Sequence, residues 1–235
     1  MTTFESLGAS RVFDGLTDED KRAWLQESSL RDVKRGHPLA RQGDPAVAFY
    51  LIESGLLKLV QDTPDGHEVI VRFVREQEPF GGVVSLDGAT YPVTALAVEP
   101  TRVRAWTKDR LRVLLEKYPQ VRTNIMREMT AHMTDALTRV RELTTERVGQ
   151  RLAHTLLRLM RQCGRPTPEG VLIAHPLTRQ ELAELSGTTL YTVSRTLSQW
   201  QADGILQSSQ RQLLIRAPQR LDELAHSPAA ADDQH

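Results

Sequence analysis

Residues Leu177 to Gly204, LTRQELAELSGTTLYTVSRTLSQWQADG, constrain the fold more than any other stretch of the chain. They read as two short helices joined by a tight Ser186-Gly187-Thr188 turn. Thr178 and Glu181 stand three apart just before an apolar run, the spacing of a capping box, in which hydroxyl and carboxylate satisfy the orphan amides of a first helical turn. Leu182 and Leu185 then face inward. In the second helix Leu190, Val193, Leu197 and Trp200 recur at spacings of three, four and three, one stripe of a 3.6-residue helix and the expected buried face. The opposite stripe, Tyr191, Ser194, Arg195 and Ser198, carries polar side chains of graded length on a helix that fits the DNA major groove. The spacing predicts a helix-turn-helix; a plain αα-hairpin would show the same apolar pattern.

Charge distribution separates these readings better than net charge does. The 235 residues sum to zero, which by itself argues against a nucleic-acid binder. From Thr145 to Arg220, however, ten arginines and no lysine stand against Glu146, Glu169, Glu181, Glu184 and Asp203, a net of +5, while Asp222, Glu223, Asp232 and Asp233 put −4 on the tail. A basic module is hung on a nearly neutral one, and its cations are all of the type that can hold guanine or phosphate bidentately. So modest an excess predicts binding by two copies. A hydrophobic content of 40% with 26% charged residues is ordinary for a globular chain with two cores. No apolar run approaches the roughly 18 residues of a membrane span, and the first 30 residues show no signal-peptide pattern, so the expected location is cytoplasmic, with no membrane partner. A single cysteine, Cys163, excludes an intramolecular disulfide and reads as a small core filler.

Three parts follow from the patterning. Between about Leu30 and Thr107 the signals are antiparallel β: Phe49-Tyr50-Leu51-Ile52 ending at Glu53-Ser54-Gly55, then Leu56 to Val60, a Pro64-Asp65-Gly66 turn and Val69 to Val74. Glycine and proline every ten or so residues suit a roll or barrel. From Pro119 to about Thr144 the pattern is helical. Ile125, Met129, His132, Ala136 and Leu143 lie close to a heptad seam, with Met126, Met133, Leu137 and Val140 as an adjacent stripe. Two apolar faces need two partners: one predicted to be the helix's own roll, the other the same helix of a second subunit, the alternative being a wholly intramolecular helix. Arg147 to Cys163 is a further amphipathic segment that Gly164 to Pro168 should break. Ile205-Leu206 and Leu213 to Ile215 around a polar turn read as a wing hairpin with Arg211 at its tip. The fold class is thus α+β: a sensor roll with flanking helices (1–118), a dimerisation helix (119–144), a winged helix-turn-helix (145–225) and a disordered tail (226–235).

This order of parts resembles the Crp/Fnr family of bacterial transcription regulators, over about Phe13 to Leu221. The marks are Arg41-Gln42-Gly43-Asp44 and Phe49 to Gly55 in the roll, with Thr178 to Ala183 and Thr192-Val193-Ser194-Arg195 in the reader. The resemblance implies a homodimer with a cyclic-nucleotide-binding-like sensor, acting on double-stranded DNA and through RNA polymerase. It makes Arg195 the guanine-reading arginine, Ser194 its usual neighbour and Arg179 a phosphate holder, with Thr188, Thr189 and Thr192 at the start of the reading helix. Tyr191 departs from the family, where many members have glutamate, and this implies a different half-site there.

The effector is not readable in the same way. Where cyclic-AMP-binding relatives carry a glutamate for the ribose and an Arg-Ser pair for the phosphate, this chain has Phe80-Gly81-Gly82-Val83-Val84-Ser85 and Thr90-Tyr91-Pro92-Val93-Thr94. Ala136-Leu137 stands where a ligand-facing Thr-Ser belongs. Cyclic AMP is therefore not expected, and with no cysteine in residues 1–50 neither is an iron-sulfur cluster. The expected effector pocket comprises Phe80, Gly82, Val83, Tyr91, Val93, Met133 and Leu137. Tyr91 to Ala95 looks like the nitrogen-oxide-responsive members, some of which use haem, and His37, His67 and His132 are the candidate axial ligands. A small apolar or uncharged effector, or control by abundance alone, fits the sequence at least as well as haem. No phosphate-cradling glycine loop, HExxH or GxSxG is present, so an enzyme is not expected. A regulatory adaptor whose C-terminal helices bind protein remains the reading of a different class, and salt-dependent binding to duplex DNA separates it from a regulator.

Overall fold

The computed structural model describes residues 7–66, 68–82, 88–173, 175, 177–209 and 212–227. Val83, His67, Arg211 and residues 228–235 of the expected tail lie outside them. The chain divides into two compact units, residues 1–135 and 136–235. The architecture is α+β, as the sequence predicts.

In the first unit, β1 (Ser29–Val33), β2 (Pro38–Ala40), β3 (Ala48–Ser54), β4 (Leu56–Asp62), β5 (Glu68–Arg75), β6 (Pro79–Phe80), β7 (Thr94–Ala97) and β8 (Thr101–Thr107) form two antiparallel sheets. Their orders are β1-β8-β3-β6 and β2-β7-β4-β5. Strand β3 shows why the sequence there is a continuous apolar run instead of an alternating one. Ala48, Tyr50 and Ile52 point between the sheets, while Phe49 and Leu51 point to an outer helical layer, so all five are buried. That layer is built from α1 (Asp18–Gln26), α2 (Lys108–Lys117) and the start of α3 (Pro119–Thr145). Trp24 and Trp106 meet edge to face at 5.5 Å, and the Trp106 indole donates to the Trp24 carbonyl at 3.0 Å. An aromatic pair of this geometry adds about 0.5–1.5 kcal/mol beyond its buried area. Buried Asn124 pins α3 by donating to the carbonyls of Val12 (3.0 Å) and Asp14 (2.9 Å). The β3–β4 turn demands Gly55: its φ is 96°, and a Cβ there would lie 2.6 Å from Thr101 Oγ1.

Helix α3 corrects the expected seam by one residue. Ile125 is 5% exposed in the outer core and His132 is half-buried, so neither stands in the exposed row. Met126 and Met133 take their places in the exposed row with Met129, Ala136, Val140 and Leu143, and Leu137 stands beside it. Two adjacent apolar stripes look alike in sequence, and only the roll's position selects which is covered.

The second unit contains α4 (Val148–Cys163), β9 (Gly164–Thr167), β10 (Gly170–Ile173), α5 (Arg179–Ser186), α6 (Leu190–Ala202), β11 (Leu206–Ser208), β12 (Leu213–Ile215) and α7 (Pro218–His226). The segment expected only to break α4 is an edge strand of a sheet ordered β11-β12-β10-β9. Pro166 is tolerated in β9 because an edge strand leaves one side of its backbone unpaired. Helix α7, not anticipated, starts with Pro at its first turn and packs on α4 through Leu221 and Ala225. Cys163 is 5% exposed, its thiol donating to the Leu159 carbonyl at 3.2 Å, and burial pushes its pKa up to about 12: a core filler held as the thiol. Among the described residues no helix is long and apolar enough to cross a membrane.

Candidate DNA-binding site

The capping box forms. The Thr178 hydroxyl accepts from the Glu181 amide at 3.0 Å, and the Glu181 carboxylate accepts from the Thr178 amide at 2.8 Å, which starts α5 at Arg179. An N-cap of this type is worth about 1 kcal/mol. Helix α5 ends where Gly187 adopts φ 61°, ψ 46°, and the Thr188 amide reaches back to the Ala183 carbonyl at 2.9 Å. Thr189 then caps α6, accepting from the Thr192 amide at 3.2 Å. That assigns the Thr189 hydroxyl to the start of the helix, and Thr192 Oγ1 lies 3.0 Å from it.

From this start α6 buries Val193, Leu197 and Trp200 on the side that packs on α5 and β11. Leu190 departs from the expected buried stripe: it is 49% exposed, the first residue of α6, and borders a cleft of about 570 Å³ shared with Leu177, Arg179, Leu182 and Leu213. It therefore joins the outward face with Tyr191, which is 74% exposed, Arg195 and Ser198; Thr188, Thr192 and Ser194 are half-buried beside them. Ser198 donates to the Ser194 carbonyl at 2.9 Å. Arg179 reaches from α5 across to the Ser194 carbonyl (3.5 Å), so its guanidinium stands next to the reading stripe. The missed residue, Leu190, had a signal in the sequence: at the first position of a helix no preceding turn covers an apolar side chain.

The residues expected around an effector do not share one environment. Between the two sheets the rings of Tyr50, Phe80 and Tyr91 stack in a row, with centroids 6.1 and 5.5 Å apart and interplanar angles of 23° and 16°. The Tyr91 hydroxyl donates to the Ala48 carbonyl at 3.1 Å, and burial raises its pKa. Val93 packs on this core. Gly82 faces the other way: a Cβ there would lie 3.3 Å from both Ile125 and Phe49 of the outer layer. Met133 and Leu137 are 66% and 60% exposed on α3, surface residues of the single chain. Of the candidate haem ligands, His37 is exposed in a loop with Nδ1 3.3 Å from the Arg35 carbonyl, and His132 is half-buried on α3, where burial lowers its pKa to about 4.

Comparison with known proteins agrees with this geometry. Residues 150–224 match the Crp-like helix-turn-helix domain and residues 30–118 the cyclic nucleotide-binding domain. The transcriptional activator protein Anr of Pseudomonas aeruginosa is 30% identical over 185 residues, covering 79% of this chain and 75% of that protein. The chain belongs to the Crp/Fnr family. The CRP-like cAMP-activated global transcriptional regulator of Mycobacterium tuberculosis is 27% identical over 219 residues, 92% of this chain and 97% of that protein. The solved structure of FixK2 from Bradyrhizobium japonicum superposes with a TM-score of 0.73 at 25% identity, over 86% of this chain and 99% of that one. In this Crp/Fnr regulator the second unit is accordingly the DNA-binding helix-turn-helix domain, and the roll is the cyclic nucleotide-binding-like domain.

Proposed function

We propose that the protein is a homodimeric transcription regulator that places α6 of each subunit in successive major grooves of a palindromic promoter site and acts there on RNA polymerase. The observation that carries this reading is the outward face of α6. Arg195 and Tyr191 project from a helix whose opposite side is locked into the domain core, with Arg179 alongside. Arg195 suits guanine O6 and N7, Ser194 and Ser198 suit either base type, and Leu190 offers an apolar contact to a thymine methyl group. Arg179, Thr188, Thr189, Thr192 and Arg211 serve the phosphates. Dimerisation is supported by the exposed row Met126, Met129, Met133, Ala136, Val140 and Leu143, which repeats at alternating spacings of three and four and so matches a coiled-coil seam. Half-sites then lie about one helical turn, roughly 34 Å, apart.

The sensor is read as one that has given up cyclic nucleotide. The M. tuberculosis relative is named as cAMP-activated, but here Tyr91 stands in the segment where a phosphate-binding pair belongs, and its ring is stacked into the roll. The single cysteine, buried in the second unit, leaves the roll without thiolate ligands for a cluster.

Selection of sites from random duplex DNA by the purified protein, without added ligand and at two salt concentrations, tests the reading. Recovery of a palindrome with a guanine in each half-site, bound more weakly at the higher salt, is expected from phosphate neutralisation. Recovery of a single half-site would remove the dimer. Recovery of no motif, together with no salt-dependent binding, would favour a protein-binding adaptor.

A further inference from the structure

The end of α3 and the turn between α5 and α6 meet on one side chain. Arg151, in the first turns of α4, donates from Nε to the Ser186 carbonyl (2.9 Å), from Nη2 to the Gly187 carbonyl (2.8 Å) and from Nη1 to the Glu146 carbonyl (3.0 Å). All three acceptors lie at helix C-termini, where carbonyls lack intrahelical partners and carry the negative end of the helix dipole. A guanidinium, planar and with five donors in a fixed fork, can satisfy three of them at once; an ammonium cannot hold that geometry. The same turn is gripped twice more. Arg139 of α3 donates to the Leu185 carbonyl at 3.2 Å, and Leu143 packs so closely on Gly187 that a Cβ there would lie 2.6 Å from its Cδ2. Beneath, Arg158 pairs with buried Glu142, and His154 stands 3.8 Å from Glu142 and 3.4 Å from Glu146. The last three carbonyls before Thr188, those of Leu185, Ser186 and Gly187, are thus held from α3 and α4.

We propose that Arg151 is a positioning residue for DNA recognition. It fixes the tilt of α6 relative to the end of α3, and through α3 the separation of the two reading helices in the dimer. The inference rests on the dimeric reading above, and it assigns Arg151 an action through the turn, not on a base.

The test uses full-length wild type, Arg151→Lys, which keeps the charge without the fork, and Arg151→Gln. Each is titrated with duplexes carrying the selected palindrome at its recovered half-site spacing and at spacings one and two base pairs longer and shorter, with melting temperatures measured alongside. Wild type is expected to prefer its own spacing roughly tenfold, and Arg151→Lys to lower that preference to about twofold, since charge-assisted hydrogen bonds that hold the angle are lost. Arg151→Lys carries the result if Arg151→Gln fails to fold. A lysine variant that binds more weakly at every spacing but keeps the wild-type preference overturns the proposal and leaves Arg151 a stability residue. A wild type that binds the selected site with no spacing preference overturns the dimeric reading, and this proposal with it.

Discussion

At the scale of the residue, the proposed base reading depends on which side chains α6 leaves outside. Arg195 is exposed there while Val193 and Leu197, on either side of it, are buried, so its direction is set by its neighbours' burial. Arg195→Ala should cost about 1–3 kcal/mol per half-site and relax selectivity at one base pair, leaving the others unchanged. Site selection with the variant checks this, and a recovered motif identical to that of wild type removes Arg195 from the reading role. The arginine and its face are legible in sequence because a 3.6-residue period assigns sides. Leu190 is legible only against its period, which places it with the apolar stripe, while its position at the helix start exposes it.

Elements show where periodicity stops being sufficient. Helix α3 carries apolar residues on more than one side, and a heptad template accepts either of two adjacent rows. The roll covers Ile125 and His132, and what remains outside is Met126, Met133 and Val140 alternating with Met129, Ala136 and Leu143. If this row is the seam of the proposed dimer, Met133→Glu should dissociate it, because burying two facing carboxylates raises the dissociation constant on the order of 100-fold. Sedimentation equilibrium reads this out, and the melting profile of the roll should stay near wild type since Met133 is 66% exposed in the single chain. A variant that remains dimeric at wild-type concentrations places the interface elsewhere. Strand β9 and helix α7 were illegible for a related reason. Gly164-Arg165-Pro166 reads as a breaker until a neighbouring strand is present to pair with it, and α7 has nothing to pack on until α4 is in place.

For the molecule as a whole, the stability of the folded state should depend on pH through His132. Burial, with Arg72 nearby and Asp135 opposing, lowers its pKa from the ordinary 6.5 to about 4. Above pH 6.5 both folded and unfolded states hold it neutral. As pH falls from there toward 4 the unfolded chain takes up a proton that the folded state refuses, so stability is lost across that window. Urea unfolding at about pH 7.5 and about pH 4.5 should show a smaller loss for His132→Gln than for wild type; an equal loss in both would mean that other groups set the dependence. The sequence by itself determined the parts and their order: the roll, the long helix, the capping box and turn that start the reader, and the polar stripe carrying Arg195. These rest on local spacing and on charge, which a linear chain displays. Tertiary structure alone decided which row of α3 is covered, that Tyr50, Phe80 and Tyr91 stack inside the roll, and that Arg151 reaches the carbonyls of Glu146, Ser186 and Gly187. Each of those depends on which distant surface comes to lie against a side chain, and spacing along the chain carries no record of that.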